Sequence, residues 1–177
     1  AKYILTYTVP DKKAVQCSIS SVPSLKYPSS ATGTIKYSCT DSKVPSVTSS
    51  STSNITVSGV TNTSATLKAL KVGSSTITVS TAADTNYNAS NKATTNISIS
   101  GDTYTISYNA NNGTGAPASQ SKSYGVGIKL STSIPTRTGY TFAGWYSDSG
   151  FNTKVGNAGA TYDPSKSITL YAKWTAN

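Results

Sequence analysis

Apolar and hydroxyl-bearing residues alternate along most of this 177-residue chain. The alternation is clearest in six segments, at positions 15–19, 34–39, 55–57, 65–70, 76–80 and 95–99. Successive side chains of a strand point to opposite faces, so this pattern is typical of strands with one buried and one solvent-exposed face. The 31 Ser and 28 Thr make up one third of the residues, and Ser disfavours helices because its hydroxyl competes for backbone hydrogen bonds. The sequence therefore predicts an all-β chain.

The composition of the chain changes near Gly101. Counting Gly101 itself, ten of the 13 glycines lie in the part that follows, together with both Trp and both Phe. Before this point, turn-forming residues separate short strands at intervals of about 8–12 residues, which favours an antiparallel sandwich. We therefore expect a boundary at residues 100–103, between an all-β first domain at 10–100 and a small β-rich second domain at 101–177.

Residues 1–9 alternate in the same way and predict one more strand. This strand belongs either to the first domain or to a preceding repeat of a longer protein. The sequence that follows it, Pro10-Asp11-Lys12-Lys13, resembles a connection between domains and favours the second interpretation.

The composition also removes most catalytic chemistry. The chain has no His, and all six acidic residues are Asp. Without His there is no Ser-His-Asp or Cys-His nucleophile site, and the commonest nitrogen ligand of zinc is missing. The sequence lacks Gly-rich phosphate and dinucleotide loops, the nucleophile elbow and a CxxC pair. We expect no catalytic residue, no metal site and no cofactor, and we interpret the chain as a non-enzyme.

The two cysteines, Cys17 and Cys39, are expected to form a disulfide. Each lies on the apolar face of a predicted strand, and a hairpin that turns near Pro28 would place them opposite each other. Closing such a loop stabilises a fold by roughly 3 kcal/mol in the chain-entropy model, and an exported protein meets an oxidising environment. The alternative is a pair of buried free thiols.

The formal net charge of +9 raises the question of an anionic partner. The basic residues are scattered singly, and Lys12-Lys13 is the only adjacent pair, so we do not expect a nucleic-acid partner. No stretch reaches the roughly 18 apolar residues of a membrane helix, and membrane insertion is not expected either. A diffuse positive field still favours anionic polymers of a cell envelope or a host surface.

Tyrosine is the most frequent aromatic residue, with 12 copies. Its amphipathic ring can stack on sugars or anchor a protein partner, although packing at a sheet rim is the alternative role. Four tyrosines next to turn residues are candidate ligand contacts: Tyr87, Tyr124, Tyr146 and Tyr162.

Phe142, Trp145 and Trp174 are large apolar side chains available to the second half of the chain. A module of this size needs such side chains to bury enough apolar area. We expect all three to form its core and not to face a ligand.

Two stretches of the first half resemble a bacterial Ig-like domain of the kind repeated in surface proteins. These are KVGSSTITV at 71–79 and AADTNYNA at 82–89. The resemblance covers residues 14–100 and implies an Ig-like antiparallel sandwich. Residues 41–53 depart from the family pattern, so the resemblance does not imply where the strands of this segment begin and end.

The second half resembles the Listeria–Bacteroides repeat, which is the B-repeat of internalin-type surface proteins. The motifs that carry this resemblance are YTISYNANNG at 104–113, PTRTGYTFAGWY at 135–146 and TLYAKW at 169–174. It covers residues 104–174 and implies a small β-grasp-like module that serves bacterial surfaces as a spacer or binding unit.

These observations and resemblances indicate two classes of function. The first is a non-catalytic structural and adhesive module of an extracellular, cell-wall-associated protein, which acts as a stalk or spacer or in attachment. Its partners would be other domains of a larger surface protein, or host or envelope glycans or proteins. The second is a glycan-binding module that uses loop tyrosines. A third interpretation is an Ig-like decoration module of a phage virion.

Overall fold

The computed structural model describes residues 11–177, and all regular elements in this range are strands. The all-β prediction is confirmed for these residues. Within the same range, no helix has the length and hydrophobicity needed to cross a membrane. The chain divides into two compact units, the first ending at Ser100 and the second beginning at Gly101. The predicted strand at 1–9 lies outside the described residues.

The first unit contains two four-stranded sheets. Its strands are β1 (Cys17–Ser21), β2 (Leu25–Tyr27), β3 (Thr32–Cys39), β4 (Ser46–Ser49), β5 (Ile55–Ser58), β6 (Ser64–Ala69), β7 (Gly73–Ser80) and β8 (Ala93–Gly101). The strand orders are β1-β3-β6-β5 and β2-β8-β7-β4. Six of these strands overlap the six alternating segments. The alternation does not predict β2 and β4, which are only three and four residues long.

One hydrophobic core is shared by the two sheets. Ile35 and Leu67 from the first sheet and Ile77 and Val79 from the second are fully buried and belong to one cluster. In β7, each buried residue is followed by a half-buried Ser or Thr on the opposite face. The alternation of the sequence therefore turns one apolar face of each sheet towards the other.

Cys17 and Cys39 form the disulfide expected from the sequence. β1 and β3 pair antiparallel, and their register places Cys17 directly opposite Cys39. The expected simple hairpin near Pro28 is wrong, however, because β2 lies between these strands in the chain and joins the other sheet. Leu25 of β2 is buried in the shared core, which accounts for the pairing of β2 with the other sheet.

The side chain of Asn91 fastens the outer edge of β1. The Cys17 N–H donates to Asn91 Oδ1 at 2.6 Å, and Asn91 Nδ2 donates to the Cys17 carbonyl oxygen at 3.0 Å. β1 is an edge strand of its sheet, and an edge strand has backbone groups without a strand partner. Cys17 is therefore held by the disulfide on one side and by paired hydrogen bonds on the other.

The second unit combines a five-stranded sheet with a two-stranded one. Its strands are β9 (Thr103–Asn109), β10 (Gln120–Ser123), β11 (Ile128–Lys129), β12 (Tyr140–Tyr146), β13 (Lys154–Gly156), β14 (Thr161–Tyr162) and β15 (Ile168–Ala176). The larger sheet has the order β10-β9-β15-β12-β13, and β11 pairs with β14. β9 and β15 run parallel in its middle, whereas its other pairs are antiparallel.

Trp145 lies at the centre of the second unit's core. It is fully buried and belongs to a cluster with Ile106, Leu130 and Leu170. Tyr108 contacts its ring in an edge-on geometry, with 4.8 Å between the ring centroids. The core role predicted for Trp145 agrees with this position.

Candidate functional site

An open groove of about 750 Å³ lies on the second unit. Two loops and the ends of two strands form it. The first loop contributes residues 112–114, the second contributes residues 134–138, and β12 and β15 contribute three aromatic side chains. These aromatic residues are Tyr140, Phe142 and Trp174.

The first loop has a backbone that depends on its Asn and Gly residues. Asn111 and Asn112 have positive φ angles of 45° and 64°, which Asn adopts more readily than most residues. Gly113 follows, and a Cβ at this position would lie 2.5 Å from Cζ2 of Trp174 and 2.7 Å from the carbonyl oxygen of Thr136. The sequence NNG thus lets the backbone pass close against the indole ring.

A short backbone bridge joins the two loops. The Thr114 N–H donates to the Thr136 carbonyl oxygen at 2.8 Å, and the Thr136 N–H donates to the Thr114 carbonyl oxygen at 2.9 Å. The two hydroxyl oxygens are 3.2 Å apart and share a further hydrogen bond. These bonds fix the spacing between the loops, so the groove is held open by ordered backbone.

Trp174 forms one wall of the groove, with its orientation fixed by hydrogen bonds. Its Nε1–H donates to the carbonyl oxygens of Ala110 at 3.0 Å and Asn111 at 2.8 Å. The ring also meets Phe142 edge-on, at 6.0 Å between centroids. Phe142 and Trp174 pack against the core cluster, as expected, but both are only half-buried and line the groove.

Arg137 and Tyr140 supply the charged and aromatic surface of the groove. The guanidinium carbon of Arg137 lies 3.9 Å from the centroid of the Tyr140 ring. Tyr140 is 38% exposed, and the neighbouring Ile134 is 53% exposed. Within residues 11–177 the guanidinium forms no hydrogen bond and no ion pair. No acidic residue lines the groove.

A second aromatic surface, which we name the Tyr146 cluster, consists of Tyr146, Phe151 and Lys173. The two rings meet edge-on at 5.8 Å, and Lys173 Nζ lies 4.9 Å from the Tyr146 centroid and 5.9 Å from that of Phe151. Asp148 organises the loop that carries Phe151. The N–H of Asn152 donates to the Asp148 carboxylate. This bond, together with further hydrogen bonds from the same loop, lowers the pKa of Asp148, whereas burial has a smaller opposing effect.

The three predicted ligand-contact tyrosines of the second unit do not share one surface, and the fourth belongs to the first unit. Tyr87 lies in the first unit, where its half-buried ring packs on the core. Tyr124 follows β10, and Tyr146 ends β12, which is separated from β10 in the sheet by β9 and β15. Tyr162 is only 3% exposed and belongs to the core, but it also lines a second, smaller pocket, so its role as a ligand contact stays a prediction. None of the four lines the groove.

Sequence reasoning missed the groove residues Arg137 and Tyr140. Their signal was present, because Arg137 is the only Arg of the chain and precedes a Tyr by three residues, across a Gly turn. What the sequence does not show is that residues 112–114, more than 20 positions earlier in the chain, complete the site.

Three tyrosines have hydroxyls that point into the protein, and we name them the core tyrosines: Tyr37, Tyr108 and Tyr162. Burial raises the pKa of each of them above its ordinary value. At Tyr108 the N–H of Ser131 donates to the hydroxyl oxygen at 2.9 Å, which partly opposes this rise in pKa. The hydroxyl of Tyr37 donates to the carbonyl oxygen of Ser64 at 2.7 Å. These groups stabilise the cores and are not part of the groove.

The groove offers a cation stacked on an aromatic ring, apolar ring surface and a few polar side chains, a combination that can orient a ligand. Across residues 11–177, no group of three or more His, Cys, Asp or Glu side chains is arranged to hold a metal ion.

The comparisons with known proteins concern the unit that carries the groove. Residues 104–173 match the family model of the Listeria-Bacteroides repeat domain. The search of curated proteins finds no match. The matched residues include both groove loops and end one residue before Trp174. The predicted Listeria–Bacteroides repeat in the second half of the chain is thereby confirmed.

Proposed function

We propose that the chain is a non-catalytic structural and adhesive segment of a bacterial cell-surface protein, in which the units act as stalk or spacer modules. The observation that carries this proposal is the match of residues 104–173 to the Listeria-Bacteroides repeat domain. Such a repeat indicates a structural module of surface proteins. Repeat modules of this type add length and surface to a protein without supplying a reaction.

The chemistry of the side chains supports a role without catalysis. General acid–base catalysis mostly relies on His, Glu, Asp, Lys, Tyr or Cys placed near a reacting group. The chain has no His and no Glu, and both cysteines are joined in the disulfide. The groove contains neither an acid nor a lysine, so it lacks a pair of groups that could exchange a proton with a substrate.

The finer description of each fold belongs to the same proposal. Two four-stranded sheets around a shared core support an Ig-like sandwich for the first unit. The parallel pairing of the first and last strands of the second unit, in the middle of a mixed sheet, supports a β-grasp-like description. We propose these as two domains that meet at residues 100–103.

An extracellular, cell-wall-associated location completes the proposal. A disulfide persists in oxidising compartments and is rare in the cytosol, and Cys17 and Cys39 form one. The surface-repeat family of the second unit supports the same location. The proposed partners are other domains of a larger surface protein, together with glycans or proteins of the envelope or of a host.

Cell-surface labelling tests the location. An antibody raised against the chain is expected to label intact cells that produce the parent protein, as strongly as it labels permeabilised cells. An antibody against a cytosolic protein is the control, because it should label permeabilised cells only. Labelling that requires permeabilisation would contradict the proposed location.

An in-frame replacement tests the spacer role. Residues 11–177 are exchanged for two unrelated β modules of similar total length, and in a second variant they are deleted. If the chain acts as a spacer, the replacement should keep the attachment activity of the parent protein, whereas the deletion should reduce it. If the replacement loses attachment as completely as the deletion, the role depends on the surface of this chain and not on its length.

A further inference from the structure

We propose that the groove of the second unit binds a carboxylated sugar ring, such as a hexuronate, within an acidic polysaccharide. In this assignment Arg137 holds the carboxylate, and Tyr140 and Trp174 contact the sugar ring. The inference goes beyond the spacer role and does not depend on it, since a spacer needs no ligand.

The charge of the groove selects an anion. Arg137 is the only guanidinium of the chain, and it has no hydrogen-bond or ion-pair partner within residues 11–177. Its planar fork matches a carboxylate through two parallel hydrogen bonds. With no Asp or Glu among the lining residues, nothing in the groove competes with a ligand carboxylate for this cation.

The position of Arg137 lowers the cost of binding. Stacking at 3.9 Å on the Tyr140 ring restricts a side chain that otherwise has several freely rotating bonds. A side chain that is already ordered loses less conformational entropy when a ligand binds. The stacked pair therefore presents its N–H donors in a prepared geometry.

The remaining lining residues suit a sugar ring. Sugars have apolar C–H faces that pack on aromatic rings and hydroxyls that exchange hydrogen bonds with polar side chains. Tyr140 and Trp174 provide the aromatic surface. Asn112 and Thr138 also line the groove, and their side chains form no hydrogen bond within residues 11–177, so both are free to bind sugar hydroxyls.

The open form of the groove favours one unit of a polymer over a small free molecule. Pockets for small molecules usually enclose most of the ligand surface, whereas this groove is open to solvent. An open groove leaves room for the neighbouring units of a polymer when one of its rings is bound. The single cation of the lining argues against a nucleic acid, since nucleic-acid binding requires several phosphate contacts.

The groove is rigid enough to be specific. The Thr114–Thr136 backbone bridge fixes the two loops, and two hydrogen bonds fix the indole of Trp174. When the groups of a site are already in place, little free energy is lost in reorganising them on binding, and the site can discriminate between similar ligands.

Isothermal titration calorimetry at physiological salt tests the proposal with defined oligosaccharides. The probes are an oligomer of galacturonic acid, its fully methyl-esterified form and a neutral glucose oligomer. The full chain is expected to bind the acid form at least about tenfold more tightly than the other two probes, because only the acid form offers charged oxygens to the guanidinium and hydrogen bonds to a charged group are the stronger ones. Equal affinity for the acid and its methyl ester, or no binding of the acid, would overturn the proposal.

Matched charge variants separate recognition at the groove from simple ion attraction. Arg137→Gln is expected to weaken binding of the galacturonate oligomer by about tenfold or more. Arg137→Lys keeps the charge but not the fork and should also weaken binding. Lys173→Gln removes the same charge from a cation that is also stacked on an aromatic ring, but outside the groove. The affinity of the Lys173→Gln variant for the galacturonate oligomer should stay close to that of the unchanged chain. Equal losses for Arg137→Gln and Lys173→Gln would refute the assignment.

Tyr140→Ala provides an independent test of the ring contact. The variant is expected to lose binding of the galacturonate oligomer while the tryptophan emission spectrum stays that of a folded second unit, because both Trp residues lie in that unit. Full affinity in a folded Tyr140→Ala variant would contradict the proposed site. None of these outcomes bears on the replacement experiment, so the proposed spacer role is tested separately.

Discussion

Reduction of the Cys17–Cys39 disulfide is expected to lower the free energy of unfolding of the first unit by about 3 kcal/mol and to leave the second unit unchanged. The cysteines are 22 residues apart in sequence, and in the chain-entropy model a cross-link over this separation restricts the unfolded chain by about 3 kcal/mol. Both cysteine side chains are buried in the core of the first unit. They remain there after reduction, so the cross-link is the main difference between the two states.

Urea unfolding with two optical signals measures this effect unit by unit. Tryptophan fluorescence reports the second unit alone, because Trp145 and Trp174 both lie in it, whereas circular dichroism reports both units. With a slope of about 1–3 kcal/mol per molar urea, a loss of about 3 kcal/mol lowers the midpoint of the first unit's transition by roughly 1–3 M. The transition detected by tryptophan should not move when reductant is added.

The double variant Cys17→Ala/Cys39→Ala is the control, since its unfolding curves should not respond to reductant. Two results would refute the reasoning. One is a loss well below about 1 kcal/mol on reduction of the unchanged chain, which would mean that the cross-link hardly restricts the unfolded state. The other is an equal shift of the tryptophan-detected transition, which would place the effect outside the first unit.

Four other changes test the packing of the two units. Gly113→Ala is expected to destabilise the second unit by about 1–3 kcal/mol in a tryptophan-detected urea titration, because the new Cβ would crowd the Trp174 ring and the Thr136 carbonyl oxygen. Asn91→Ala should cost the first unit about 1–3 kcal/mol in a dichroism-detected titration, because it leaves the backbone N–H and carbonyl of Cys17 without their partners. Burial raises the pKa of the core tyrosines, so the folded chain holds these protons more tightly than the unfolded chain. Their contribution to stability should be constant below about pH 10 and be lost as the pH rises further. Urea titrations at a series of pH values check this, and a flat profile would contradict it. Residues 102–177 expressed alone should keep the tryptophan emission of the whole chain, because the core around Trp145 contains residues of the second unit only; a red-shifted emission would show that this unit does not fold by itself.

The strands of the first unit could largely be predicted from the sequence, because their signal is local. The alternation in β7 or β8 depends only on neighbours along the chain, and it correctly indicates which side chains are buried. The same alternation placed Cys17 and Cys39 on apolar faces, and the hairpin assumed near Pro28 placed them opposite each other, as the register of β1 and β3 does. β2 could not be predicted in this way, because a three-residue strand carries too little pattern, and its sheet is decided by where Leu25 finds space in the core.

The candidate site was much less accessible to sequence reasoning. The tyrosines next to turns were reasonable candidates, since turns usually lie at the surface. Tyr162 nevertheless lies in the core, because its short strand β14 pairs with β11 and its ring packs with the central cluster. Tyr140, which borders the groove, was not among these candidates and was named only as part of the motif that resembles the repeat family.

The amino-acid sequence by itself determined the strand content of this protein, the inward faces of its longer strands, the cysteine pair and the identity of the repeat in its second half. Tertiary structure alone decided which aromatic side chains remain accessible. Trp145 and Trp174 lie in neighbouring strands, and one is fully buried whereas the other forms a groove wall. Burial at a strand end depends on which loops cover it. Here the loops come from distant positions in the chain and are joined by the backbone hydrogen bonds of Thr114 and Thr136. Such a contact cannot be predicted from the pattern of neighbouring residues along the chain.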